Sequence, residues 1–153
     1  MVILLFLYYL FIFIIYINTI NNQEIKYDNG DRYIGQVVNG LPEGKGIYYL
    51  NNKDRYEGEF RNGKAEGKGI YYANNGDRHE GDYRNGKAEG KGISYYNDGN
   101  RYEGDFRNDK KEGKGIYYFN KTGDREMGDY REDKRIGKHV TLTKNKDVKV
   151  NNY

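Results

Sequence analysis

The apolar positions of this chain divide it into two regimes. Residues 1–17 read MVILLFLYYLFIFIIYI, an unbroken apolar and aromatic run without a charge. Twenty helical residues span about 30 Å, one hydrocarbon core, so segment 1–20 is predicted as a hydrophobic helix. From Tyr27 onward the apolar residues come in short bursts. In YEGEF, Tyr56, Gly58 and Phe60 fall on one side and Glu57 and Glu59 on the other, the period-two mark of a strand. KGIYYA, residues 68–73, is β-branched and aromatic and reads as a second strand. Between them RNGKAEG is predicted as a hairpin connection, and NNGDR as the turn into the next strand.

The bursts recur at a fixed period. Units begin at Tyr33, Tyr56, His79, Tyr102 and Glu126, spaced by 23, 23, 23 and 24 residues, and YDNGDR at 27–32 is the end of a partial unit. Three glycines per unit and the lack of a 3.6-residue apolar stripe exclude helix. One hairpin cannot bury its own apolar face, so each unit must lean on its neighbours. The prediction is an all-β, elongated repeat array of antiparallel β-hairpins preceded by one hydrophobic helix. Five hairpins give about ten strands and a length near 50 Å. Its parts are a hydrophobic segment at 1–20, a linker with a partial repeat at 21–32, the array at 33–140 and a basic polar tail at 141–153.

The glycines follow the frame. Gly35, Gly58, Gly81, Gly104 and Gly128 stand on the same strand face as the leading aromatic residues Tyr33, Tyr56 and Tyr102, where a missing side chain leaves room for a ring or a close backbone approach. The pairs Gly44/Gly46, Gly67/Gly69, Gly90/Gly92 and Gly113/Gly115 would let the second strand bend. The last unit has Glu126 in the aromatic slot and His139 in place of the second glycine, the marks of a degenerate terminal cap.

This pattern, Tyr-x-Gly followed by Gly-x-Gly at fixed spacing, resembles the MORN (membrane occupation and recognition nexus) repeat over roughly 27–140. The resemblance implies a twisted antiparallel meander and a role in membrane association or scaffolding. Such arrays occur in junctional membrane proteins, phosphatidylinositol phosphate kinases, ciliary radial-spoke heads and protist cytoskeletal scaffolds.

Charge adds little to the array and something to its end. The chain has a net charge of +3, too weak a field to draw in nucleic acid. From 131 to 153 there are seven basic and three acidic residues, a net +4, so the basic character belongs to the tail. Within the units, Arg61, Arg84 and Arg107 with Lys64, Lys87 and Lys110 recur at one place and form a candidate basic row for anionic phospholipid headgroups. Lys144, Lys146 and Lys149 in the tail are the other candidates. Each basic residue near an anionic leaflet contributes about 1 kcal/mol, and the nearby carboxylates offset much of it.

The candidate chemistry is thin. There is no cysteine, so thiolate nucleophiles and cysteine-held metals are excluded. His79 sits in the aromatic slot and His139 in a glycine slot, with no nucleophile or ligand cluster beside either. GKAEGKGI lacks the Ser/Thr and the following helix of a phosphate loop, and NNGDR lacks the ligand spacing of a calcium loop. Glu57, Glu59 and Glu66 recur in identical surroundings, whereas an acid–base pair needs two different ones. They read as a solvated strand face laddered with Arg61, Lys64 and Lys68.

The sequence therefore predicts no cofactor, no small-molecule substrate and no catalysis. It predicts a scaffold or tether acting through protein partners or self-association, with Tyr rows as contact area. Segment 1–20 is read as a single-pass anchor; Lys26 and Arg32 after it, with no basic residue before it, would place the repeats in the cytosol. A cleaved signal is the second reading, although no Ala, Gly or Ser occurs before Gly30. An artefactual reading frame is the third. The alternatives to a membrane scaffold are a ciliary or cortical cytoskeletal scaffold without membrane contact, and a regulatory fragment of a larger enzyme such as a phosphatidylinositol phosphate kinase.

Overall fold

The computed structural model describes residues 5–10 and 22–153. Residues 5–10 are helical. Among the described residues no helix is long and apolar enough to cross a membrane, and most of the predicted anchor lies outside them.

Twelve antiparallel strands follow in one open sheet whose spatial order is the chain order. They are β1 (Gln23–Lys26), β2 (Arg32–Val38), β3 (Leu41–Tyr49), β4 (Arg55–Arg61), β5 (Lys64–Tyr72), β6 (Arg78–Arg84), β7 (Lys87–Tyr95), β8 (Arg101–Arg107), β9 (Lys110–Tyr118), β10 (Arg125–Arg131), β11 (Lys134–Leu142) and β12 (Val148–Asn152). The hairpin array is thus present, two strands longer than the ten expected. The partial unit supplies β1, and residues 148–152, read as tail, pair with β11 as β12.

The hairpin connection is shorter than RNGKAEG. Only Asn62 and Gly63 turn, at φ +48° and +79°, the left-handed pair that a two-residue hairpin uses. KAEG belongs to β5, where Glu66, Gly67 and Lys68 lie opposite Glu59 alone: the register runs Gly58 to Gly69 and then Phe60 to Ala65. Gly67 absorbs this bulge at φ +73°. The two glycines of each Gly-Lys-Gly therefore do different work, the first bending the strand and the second facing Gly58 across it.

One face of the sheet carries the core. Tyr33, Tyr56, Phe60, Tyr83, Tyr102, Phe106 and Tyr130 are buried there in successive edge-to-face pairs, such as Tyr56 against Phe60 and Tyr83 at 5.2 and 4.8 Å. Stacking of units, not a second layer, removes these rings from water.

Candidate functional site

Three of the leading positions hold a tyrosine that folds back over its own glycine pair. Tyr56 lies over Gly58 and Gly69, whose Cα atoms are so close that a Cβ on Gly58 would stand 2.7 Å from Gly69 Cα. Its hydroxyl donates to Glu59 O at 3.3 Å; Tyr33 and Tyr102 donate likewise to Gln36 O and Asp105 O, at 2.8 and 3.3 Å. Burial pushes the Tyr33 phenol up to about 12. His79 takes the same slot, its Nδ1 3.0 Å from Ser94 Oγ, and burial lowers it to about 4, so it packs as a neutral ring.

The last unit inverts the arrangement. The ring over Gly128 comes from His139, across the hairpin, and Glu126 occupies the tyrosine slot. His139 is fully buried, and its Nε2 donates to Asp129 O at 2.9 Å, the bond a tyrosine hydroxyl makes elsewhere. Glu126 accepts from Arg135 Nε, and its other oxygen from Thr141 Oγ1 at 3.4 Å and Tyr153 OH at 3.2 Å. Burial works against its ionisation, but the Arg135 hydrogen bond and charge prevail and hold the carboxyl below its usual range. A buried glutamate is tolerable here because each oxygen has a donor.

The opposite face forms an open groove of about 1600 Å³ that runs from Ile34 to Val140. Its floor is the backbone of the glycine pairs, flanked by two rows of side chains. In the first row isoleucine and glutamate alternate across the strands, with Glu57 opposite Ile47 and Ile70, and Glu80 opposite Ile70 and Ile93. In the second, lysines meet acids: Lys68 pairs with Asp82 at 2.6 Å and Lys91 with Asp105 at 2.5 Å. Beyond the first row, arginines lie over tyrosines, Arg55 4.0 Å from the ring centre of Tyr72 and Arg101 4.0 Å from that of Tyr118. Glu57 meets Arg55 at 2.6 Å, not Arg61 or Lys64 as the sequence ladder had it.

The reason lies at the two long edges. Arg61 and Lys64 face each other beside the hairpin turn, as do Arg84 and Lys87, and Arg107 and Lys110, and all six are exposed. This edge is where the candidate basic row gathers. Lys110 is bound to Glu132 and Arg107 lies 3.7 Å from Glu112, so its C-terminal part is neutralised. Lys144 and Lys146 lie in the β11–β12 connection at the opposite edge and Lys149 on β12, so the structure does not bring the tail lysines to the row.

Two sets of staples escaped sequence reading. At the hairpin edge, Glu43, Glu66, Glu89 and Glu112 each accept the first turn N–H of the next unit, Asn62, Asn85, Asn108 and Glu132, at 2.9–3.3 Å. At the other edge, Asp31, Asp54, Asp77 and Asp124 accept the N–H of the next loop, from Asn51, Asn74, Asn97 and Lys144, at 2.7–2.9 Å. Tyr48 and Tyr71 donate to the same Asp31 and Asp54. Identity of the copies was the available signal, since a carboxylate that caps its neighbour must recur at the repeat period.

The MORN repeat model matches four consecutive stretches, 33–55, 56–78, 79–101 and 102–123. No curated protein matches the sequence significantly. Among solved structures, the chain is similar to the TCP domain of SAS-4 from Drosophila melanogaster in complex with a proline-rich motif of Ana2. That likeness has 16% identity and a TM-score of 0.44 over 86% of this chain and 90% of the other. The TCP10c domain of Sas-4 from the same organism is similar at 16% identity and a TM-score of 0.39, over 87% of this chain and all of the other. With four adjacent matches spanning more than half its length, the chain belongs to the MORN-repeat family.

Proposed function

We propose that this protein is a non-catalytic scaffold that holds protein partners along its groove face. The observation that carries the reading is the continuity of the groove from Ile34 to Val140, along which the three central units present the same glutamate, lysine and isoleucine at the same register, Glu57, Lys68 and Ile70 and their counterparts. Identical surroundings in each copy suit the binding of an elongated partner and leave no copy with the unequal acid–base environments that catalysis uses. Apolar isoleucines flanked by paired charges also match the make-up of non-obligate protein interfaces.

A photocrosslinking residue at Ile70, compared with one at Asn97 on the loop edge, tests this in cell extract. A discrete set of protein adducts from position 70, absent from position 97 and lost on adding Glu80→Lys, supports the reading. Adducts at 97 alone, or none at 70, overturn it.

We further propose that segment 1–20 tethers the scaffold to a membrane, a reading that rests on the uncharged run 1–17. Carbonate-resistant membrane pelleting of the full chain, lost when 1–20 are deleted, is its expected result. Pelleting that survives the deletion removes 1–20 as the anchor, and a full chain that does not pellet leaves a scaffold without membrane contact.

A further inference from the structure

The aromatic face holds a second cavity that the groove reading does not use. It measures about 650 Å³ and lies over Ala65 and Ala88, walled by Tyr56, Tyr71, Tyr83 and Phe106, with Asp109 at its mouth. Its meaning comes from the same place in the other units. The residue nine positions after each unit's start is Pro42, Ala65, Ala88, Lys111 and Arg135 in turn. Where that residue is long, it is a cation among rings. Lys111 Nζ stands 5.1 Å from the ring centres of Tyr96 and Tyr102 and 5.4 Å from that of Tyr117. Arg135 lies 5.7 Å from Tyr117 and 5.6 Å from Tyr153. Burial lowers the Lys111 pKa, yet the geometry keeps its ammonium against three π faces.

Two periods earlier the lysine is reduced to the methyl of Ala65, while the rings remain. Tyr56 and Tyr71 are the counterparts of Tyr102 and Tyr117, and Leu50 replaces Tyr96. The rings are held in place, Tyr56 by Glu59 O and Tyr71 by Asp54, so the cage is preorganised. Asp109 supplies the negative charge. Its Oδ1 accepts the Ala88 N–H at 2.8 Å, and among the described residues Oδ2 has no donor. Lys64 also reaches the mouth, exposed, and stands over no ring among the described residues.

We infer that this cavity is a receptor for a lysine side chain of a partner protein, whose ammonium would sit among Tyr56, Tyr71 and Tyr83 with Asp109 as counter-charge, as Lys111 sits in the chain's own cage. The site lies on the face opposite the groove and stands or falls without it.

The test uses the full chain, with n-butylammonium as probe and 1-butanol as its neutral isostere, followed by NMR shifts of the tyrosine ring and Asp109 signals. Butylammonium is expected to bind at least fivefold more tightly than butanol. Asp109→Asn keeps the Ala88 hydrogen bond and removes only the charge, and is expected to weaken the ammonium two- to tenfold without touching butanol. Ala65→Lys, which imitates Lys111, should abolish binding, and Lys111→Ala should open a second site. Equal affinity for the two probes, or butylammonium shifts that survive Ala65→Lys, overturns the proposal. Binding of phosphocholine in place of butylammonium overturns it too, since the cage would then select a lipid headgroup.

Discussion

Tyr56 lies over the backbone of Gly69, its Cε2 2.5 Å from where a β-carbon on that glycine would stand. The ring cannot withdraw, because Phe60 and Tyr83 meet it at 5.2 and 4.8 Å and its hydroxyl is held by Glu59 O. Gly69→Ala is therefore expected to destabilise the array by about 1–3 kcal/mol through overpacking, with a fall of several degrees in Tm. Lys68→Ala, one residue away and exposed, removes one surface ion pair and should change stability by less than about 1 kcal/mol. Thermal melts of the two variants at neutral pH check the contrast.

The parts of this fold that were legible share a cause. Alternation in YEGEF and the 23-residue period are properties of adjacent residues, so strand, hairpin and meander follow from reading along the chain. The turn was misplaced because RNGKAEG holds two left-handed sites, Asn62–Gly63 and Gly67, and only the register shows that the second is a bulge within β5. The staples were invisible for a different reason: Glu66 and Asp54 act on N–H groups 19 and 20 residues away, in the next copy. In the last unit both substitutions are legible along the chain as a degenerate cap, but their exchange of roles shows only across the hairpin. A ring lost at 126 and a ring gained at 139, on facing strands, is the record of one slot filled from the other side.

Asp54 has its own control within the chain. It accepts Asn74 N–H at 2.7 Å and the Tyr71 hydroxyl, while Asn100 does the same backbone work for Asn120 at 2.9 Å. Asp54→Asn should thus change stability by less than about 1 kcal/mol, whereas Asp54→Ala, which removes the acceptor of Asn74 N–H, the Tyr71 hydroxyl and the exposed Asn52 amide, should lower it by about 1–3 kcal/mol. Urea denaturation separates the two outcomes; equal losses would show that the charge and not the hydrogen bonds joins the loops.

His79 makes the middle of the array sensitive to acid. Burial holds its pKa at about 4, against 6.5 for a free imidazole. The unfolded chain takes up a proton near pH 6.5 that the folded chain refuses until about pH 4. The contribution is whole above pH 6.5 and is lost as the pH falls through that window, up to about 3 kcal/mol. His79→Tyr restores the residue of the neighbouring units and should lose less stability between pH 7 and 5 than the parent. Parallel melts at both pH values measure the difference, and an identical acid response in parent and variant would remove His79 as its source.

The inverted cap gives the sharpest coupling. With His139 over Gly128, a second ring at 126 has no floor to lie on, so Glu126→Tyr alone should be destabilising. His139→Gly alone removes a fully buried ring and its bond to Asp129 O, and should lower stability by about 2–4 kcal/mol. Together the two changes recreate the Tyr-over-Gly arrangement of Tyr102 with Gly104 and Gly115, and Arg135, a third exposed, can turn its guanidinium to water. The double variant should then be more stable than the sum of the single losses predicts, by at least about 1–2 kcal/mol. A thermodynamic cycle of the four proteins in urea reads that coupling directly, and strict additivity would mean that positions 126 and 139 do not share one slot.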